Sequence, residues 1–283
     1  MTDFLRIPAG PGALHVERFG FGERAVILLH GFGTSGFLWR HVAPALPLGR
    51  VTAFAVDLFG HGESDRDVDA DYGIGAQAAC LDQALTVLRV ARADIVAVDM
   101  GAAVALALAA RRPARVRSLV LVNPGDPADA RGADLDELRR LQARHLLEAS
   151  RGMMGARLLL GPLLERSVAD PARMPEALVA RYVAPFVGRE GVHHLLELAR
   201  AINGRALDHV EWATIGAPTL VVRGDADGWI GPSVSAALAS RLGAGEFRRV
   251  PGAGRLVPED APVAMAELLT DWLDRTGAGV ATP

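Results

Sequence analysis

The chain has 283 residues, 30 basic and 33 acidic groups, a formal charge of -3 and a hydrophobic fraction of 50%. That balance offers no basic surface for nucleic acid or anionic membranes, and it supplies enough apolar material for a large core. Every basic side chain other than histidine is arginine, and the single cysteine, Cys80, excludes an internal disulfide and a cysteine-based metal cluster. No apolar run reaches membrane length and no basic, apolar leader pattern precedes the first elements, so a cytoplasmic protein is expected. No metal or cofactor is expected.

Residues 4–19 alternate weakly around Pro8-Ala9-Gly10-Pro11-Gly12, which predicts an entry hairpin. Ala25 to Leu29 is a fully apolar strand that runs into His30-Gly31-Phe32-Gly33-Thr34-Ser35. Phe37, Leu38, Trp39, Val42 and Leu46 then predict a helix stopping near Pro47. Val51 to Val56 reads as the next strand, followed by Asp57-Leu58-Phe59-Gly60-His61-Gly62-Glu63-Ser64 and a helical pattern from Ile74 to Val90. Ile95 to Val98 is β-branched and strand-like, and Met100 to Ala110 is Ala/Leu-rich and helical. Val116 to Val122 closes this regular alternation, which signals a parallel sheet covered on both faces.

From Asn123-Pro124-Gly125-Asp126 to about Ala213 the pattern is helical with little strand character. Strand character returns at Pro218 to Val222, then a helix from Pro232 to Leu242, a short strand from Glu246 to Val250 and a closing helix from Pro262 to Leu273. The expected organisation is one α/β core, residues 1–123 and 214–283, with residues 124–213 inserted as a helical cap. The tail from Thr276 is expected to fray.

No turn-length loop separates Val98 from Met100, so Asp99 must occupy a sharp strand-to-helix corner. That is the setting of a nucleophile elbow, normally G-x-S-x-G, which here reads Ala97-Val98-Asp99-Met100-Gly101. A carboxylate there faces the positive end of the helix and needs no neighbouring base to act as a nucleophile. The plainer alternative is that Asp99 merely caps the helix, a common role for aspartate.

Together these pieces resemble the α/β-hydrolase superfamily over nearly the whole chain. His30-Gly31-Phe32-Gly33 is similar to its oxyanion loop, which implies Phe32 N–H and Met100 N–H as the donor pair. Asp57 to Ser64 is similar to the family's D-x-x-G-x-G-x-S turn. Gly224-Asp225-Ala226-Asp227 resembles the acid loop and implies Asp227 as the triad acid. Pro251 to Pro258 resembles the histidine loop before the last helix. The aspartate at the elbow narrows the likeness to haloalkane dehalogenases and epoxide hydrolases, in which the carboxylate forms an ester that a histidine-activated water cleaves.

Two departures stand out. Met100 follows the nucleophile where those enzymes commonly carry tryptophan, and Arg255 stands where the histidine is expected. Arginine stays protonated and cannot act as a general base. Asp99, Arg255 and Asp227 are therefore expected to form an Asp–Arg–Asp network that holds an anion, polarises a carbonyl or stabilises the fold.

The remaining pocket candidates are His30, Gly31, Trp39, Asp126, Tyr182, His194 and Trp229. His30 is expected to shape its loop, His61 to lie structurally in a surface turn, and His145 to face outwards. His193 and His194 lie off the apolar stripe of Val192, Leu195, Leu196, Ala199 and Ile202, which favours a solvated face, with His194 the candidate surrogate base. Asp126 rivals Asp227 as the acid. Met153, Met154 and Met174 fit either an adaptable cap surface or core packing. Tyr182 stands as a lone cap tyrosine where epoxide hydrolases usually use two.

Three functions follow. The favoured one is an enzyme for a small, largely apolar metabolite, with Asp99 as acid/base or nucleophile and Arg255 and Asp227 as electrostatic partners, in isomerisation, elimination or cyclisation. The second is a dehalogenase- or epoxide-hydrolase-type hydrolase with a relocated base. The third is a non-catalytic binding protein. The expected partner is a small molecule, with the chain a monomer or homodimer.

Overall fold

The computed structural model describes residues 2–67, 69–125, 155–202, 207–208, 210–242 and 245–277. Asp126, His145, Met153, Met154 and the end of the tail lie outside the described residues.

Eight strands form one sheet in the order β1-β2-β4-β3-β5-β6-β7-β8. They are β1 (Thr2–Ala9), β2 (Gly12–Gly20), β3 (Arg24–Leu29), β4 (Val51–Val56), β5 (Ala93–Val98), β6 (Val116–Val122), β7 (Thr219–Gly224) and β8 (Gly245–Val250). The entry hairpin β1–β2 is antiparallel and joins β4 antiparallel; every later pairing is parallel. β5 and β7 are buried along their whole length, because helices cover both faces of the sheet and leave no face for polar alternation.

The core helices are α1 (Ile74–Val87) and α2 (Met100–Arg111), followed later in the chain by α6 (Pro232–Arg241) and α7 (Pro262–Gly277). Small alanines let α2 approach the sheet so closely that Met100 to Ala109 are all buried. At the N-terminal ends of the central strands β3 and β5, opposite the end that carries Asp99, Arg24 grips buried Asp94 through two hydrogen bonds of 2.6 and 2.8 Å. Asp94 also accepts from Ser118, which in turn accepts from Trp272 Nε1, so β3, β5, β6 and α7 share one polar knot.

The closing helix runs on to Gly277, past Thr276 where the tail was expected to fray, and two predicted elements differ more. The helix expected over Phe37 to Leu46 is instead two short 3-10 turns, Gly36–Trp39 and Ala43–Ala45. Pro44 has no N–H to complete a longer α-helical ladder there. The helix expected to reach Val90 ends at Val87, because Arg89 adopts φ 58°. Its end is a left-handed closure in which Arg89 N–H donates to Thr86 O and Val90 N–H to Leu85 O.

Between β6 and β7 the described chain is helical: α3 (Ala156–Glu165), α4 (Glu176–Val183) and α5 (Arg189–Ala201). Its apolar faces, including Leu160, Val179, Leu195 and Leu198, merge with the main core. No helix among the described residues is long and apolar enough to cross a membrane.

Candidate active site

The strand-to-helix corner is built around Asp99, at φ 53° and ψ -119° between Val98 of β5 and Met100 of α2. This backbone is strained for a side chain other than glycine, and such strain persists only where the surroundings hold it. Here the surroundings are close. A Cβ on Gly101 would lie 2.5 Å from His30 O, and one on Gly31 would lie 2.9 Å from both Asp99 Cβ and Oδ2. The glycines at 31 and 101 therefore let the oxyanion-type loop press directly against the aspartate.

Both oxygens of Asp99 are engaged. Phe32 N–H donates to Oδ2 at 3.1 Å, and Arg255 Nη2 donates to Oδ1 at 2.6 Å. The pair is secluded, with side chains 5% exposed for Arg255 and 11% for Asp99. Arg255 also lies beside the Trp229 ring, its guanidinium carbon 5.8 Å from the ring centre. Among the described residues, no histidine hydrogen-bonds Asp99.

Asp227 follows β7 and its side chain is fully buried. Trp229 N–H and Ile230 N–H donate to its Oδ1 at 2.8 and 3.3 Å. Burial pushes the Asp227 carboxyl above its ordinary value; the Trp229 N–H, Arg255, the Ile230 N–H and Arg223 pull the other way. Arg255 thus touches Asp99 directly and acts on Asp227 through its charge.

Residues 24–262 match the family described as alpha/beta hydrolase fold. This chain belongs to that family. A haloalkane dehalogenase of Mesorhizobium japonicum is 30% identical, over 95% of this chain and 90% of that protein. An esterase of Mycobacterium tuberculosis is 29% identical, over 93% of this chain and 87% of that protein. The crystal structure of haloalkane dehalogenase DbeA from Bradyrhizobium elkani superposes with a TM-score of 0.83 at 27% identity, covering 98% of this chain and 99% of that one. The aspartate-nucleophile branch suggested by the elbow is therefore supported by homologues as well as by the corner itself.

Within this alpha/beta hydrolase fold, the expected pocket residues have varied fates. His30 is fully buried: Leu58 N–H donates to Nε2 at 3.0 Å, so Nδ1 carries the proton and donates to Gly31 O at 2.8 Å. Burial lowers its pKa, and with both nitrogens committed it shapes the loop. His61 is buried rather than in a surface turn, 5.1 Å ring to ring from His30, because the D-x-x-G-x-G-x-S turn folds inwards over Asp57. Asp57 accepts from Gly36 N–H, Glu63 N–H and His15, which is what draws the turn in.

His194 is half-buried where a solvated face was expected. Its Nε2 donates to Gly60 O at 2.6 Å, and the ring lies between Tyr72 and Phe186. It fastens α5 to the core. Tyr182 is buried and donates to Glu259, which Arg40 holds through contacts of 2.7 and 2.8 Å. That latch joins α4 to the helical turn Val257–Asp260, just after Arg255. Trp39 is fully buried in the core. Trp229 stays beside Arg255 and donates from Nε1 to Arg166 O. Met100 is buried at the first residue of α2.

One residue that organises the site has no motif of its own. Asn123, at φ 44° after β6, donates from Nδ2 to Gly254 O and Arg255 O at 2.9 and 2.8 Å. Its Oδ1 accepts from Gly224 N–H at 2.9 Å. A single buried amide thereby ties the Asp227 loop to the Arg255 loop. In sequence, Asn123-Pro124-Gly125 signals only a chain break; the hint was an asparagine, a residue that tolerates the left-handed region, at a strand end. Among the described residues, no group of three or more His, Cys, Asp or Glu side chains could hold a metal ion.

Proposed function

We propose that this chain is an enzyme of the alpha/beta hydrolase fold that transfers a proton within a small, largely apolar carbonyl compound without adding water. The segment 124–213 serves as the cap over the substrate. Asp99 removes a proton from the carbon beside the carbonyl, the C–H electrons form a C=C bond as the carbonyl π pair moves onto oxygen, and Arg255 stabilises the resulting oxyanion. Return of the proton to another carbon completes an isomerisation, while expulsion of a leaving group or attack on a second carbon gives elimination or cyclisation. Met100 N–H, with Phe32 N–H once it leaves Asp99 Oδ2, is the backbone donor set for the same oxygen, and Asp227 tunes Arg255.

The observation that carries the reading is the 2.6 Å contact between Arg255 and Asp99. A guanidinium in that place cannot deprotonate water, which an ester on Asp99 would need for release. It is well suited to polarise an oxygen. His30 and His194 support the reading further, since each spends a ring nitrogen on a backbone carbonyl.

The test is proton exchange. A panel of small ketones and aldehydes incubated in deuterium oxide with the protein should gain deuterium beside the carbonyl in at least one member, and Asp99→Asn should abolish it. Incorporation of oxygen-18 from labelled water during multiple turnovers of a haloalkane or epoxide would overturn it. Such turnover is the second reading, favoured by the dehalogenase similarity, with His194 as its relocated base.

A further inference from the structure

A second concavity lies where α4 and the turn before it meet the core, and none of Asp99, Phe32, Arg255 or Trp229 lines it. It is a groove of about 570 Å³, within the size range of small-molecule sites. Its apolar wall is Phe37 from the 3-10 turn Gly36–Trp39, Pro175 and Leu178 at the start of α4, and Pro262 at the start of α7. The polar wall is cationic. Arg40, His41, Arg173 and Arg181 line it, against one carboxylate, Glu259.

Glu259 is already spent. Its oxygens accept from Arg40 at 2.7 and 2.8 Å, Tyr182 donates to it as well, and its side chain is only 2% exposed. It therefore neutralises Arg40 and leaves the other two guanidinium groups uncompensated. Arg173 forms no ion pair or side-chain hydrogen bond among the described residues. Arg181 reaches Glu63 only at 3.5 Å, in an exposed pair, and its guanidinium carbon lies 5.2 Å from the centre of the Phe37 ring. A guanidinium stacked on a ring keeps the N–H groups of its edge for a ligand. The neighbouring acids are engaged elsewhere: Glu176 pairs with Arg157, Asp170 accepts from Ala172 N–H, and Asp260 accepts from Ala169 N–H and Gly254 N–H.

A local excess of positive charge beside an apolar wall, in a chain whose net charge is -3, is complementary to a molecule that carries both a negative head and an apolar body. We propose that this groove is a second binding site, for a small organic anion with an apolar chain, a carboxylate or a phosphate monoester. Arg173 and Arg181 hold the head group, whose oxygens match the guanidinium fork, and the chain lies along Phe37 and Leu178. The inference stands apart from the acid–base reading of Asp99, since the two sites share no lining residue.

Isothermal titration calorimetry with octanoate and octyl phosphate as probes tests it. At least one should bind with one-to-one stoichiometry and raise the melting temperature as its concentration rises, and the tighter of the two assigns the head group. Acetate and inorganic phosphate should bind at least about tenfold more weakly, because burying even two methylenes is worth that factor. Octylammonium, with the same chain and the opposite charge, should not bind. Arg173→Gln and Arg181→Gln should each weaken the probe by roughly two- to fivefold, the worth of an exposed ion pair. Ala177→Glu, which sets a carboxylate in the groove, should weaken it further. All three positions are exposed, so the variants should fold and melt like wild type without the probe. Probe affinity unchanged in all three variants would place the anion elsewhere and overturn the proposal. So would the failure of both probes to bind at millimolar concentration, or octylammonium binding as tightly as they do.

Discussion

Replacing Arg255 with alanine removes one half of a secluded ion pair and leaves the other half in place. The contact is 2.6 Å long between side chains that are 5% and 11% exposed, so solvent screening is weak. Breaking such a pair from one side costs about 3–5 kcal/mol, because the remaining charge loses its partner without regaining water. For a chain of this size, each kcal/mol moves the melting temperature by roughly 2–4 °C, so a drop on the order of 10 °C is expected for Arg255→Ala. The double variant Arg255→Ala/Asp99→Asn removes the stranded charge as well. It should regain about 0.5–3 kcal/mol relative to the sum of the two single changes, the range for residues in direct contact. Differential scanning calorimetry on the four proteins at one pH measures both quantities. A single variant melting within about 1 °C of wild type, or strictly additive losses, would refute the picture of a buried, coupled pair.

Four further outcomes are expected. Cleavage of p-nitrophenyl esters should stay near background, since the oxyanion donors alone give only residual catalysis; robust turnover lost in Asp99→Ala would restore a hydrolase. Intact-mass spectrometry after incubation with haloalkanes and epoxides should show neither adduct nor product, because Arg255 competes for the carboxylate; a stoichiometric gain absent from Asp99→Asn would instead identify a stalled ester. Tyr182→Phe should destabilise by about 1.5–3 kcal/mol, the value of a hydrogen bond to a charged group, seen as a lower denaturant midpoint; an unchanged midpoint would remove the latch. Burial lowers the pKa of His30, His61 and His194, so each contributes stability present above the unfolded value of about 6.5 and lost as pH falls, while His15, raised mainly by Asp57, works in the opposite sense. His194→Gln should accordingly flatten the fall in melting temperature on acidification, and an unaltered slope would show that His194 is not held neutral.

The sheet, the elbow and the order of the loops were determined locally. Runs such as Val26 to Leu29 and Ile95 to Val98 are strands because buried β-branched and apolar residues suit a parallel sheet covered on both faces. Asp99 is at a corner because no residues are left for a loop, and Gly31 and Gly101 mark where a Cβ would collide with the neighbouring chain. Arg255 was readable as the odd member of its loop because one side chain's chemistry differs from the expected one. What tertiary structure alone decided is where polar side chains spend their hydrogen bonds. Tyr182 finds Glu259 77 positions away, and His194 finds Gly60 across 134 positions, so neither periodicity nor motif could foretell that they fasten helices to the core. Asn123 reaches Gly254 and Arg255 across 131 and 132 positions for the same reason. Periodicity reports which face of an element is apolar; it carries no information about which distant donor or acceptor the fold brings to a buried polar atom, and that pairing sets the geometry of this site.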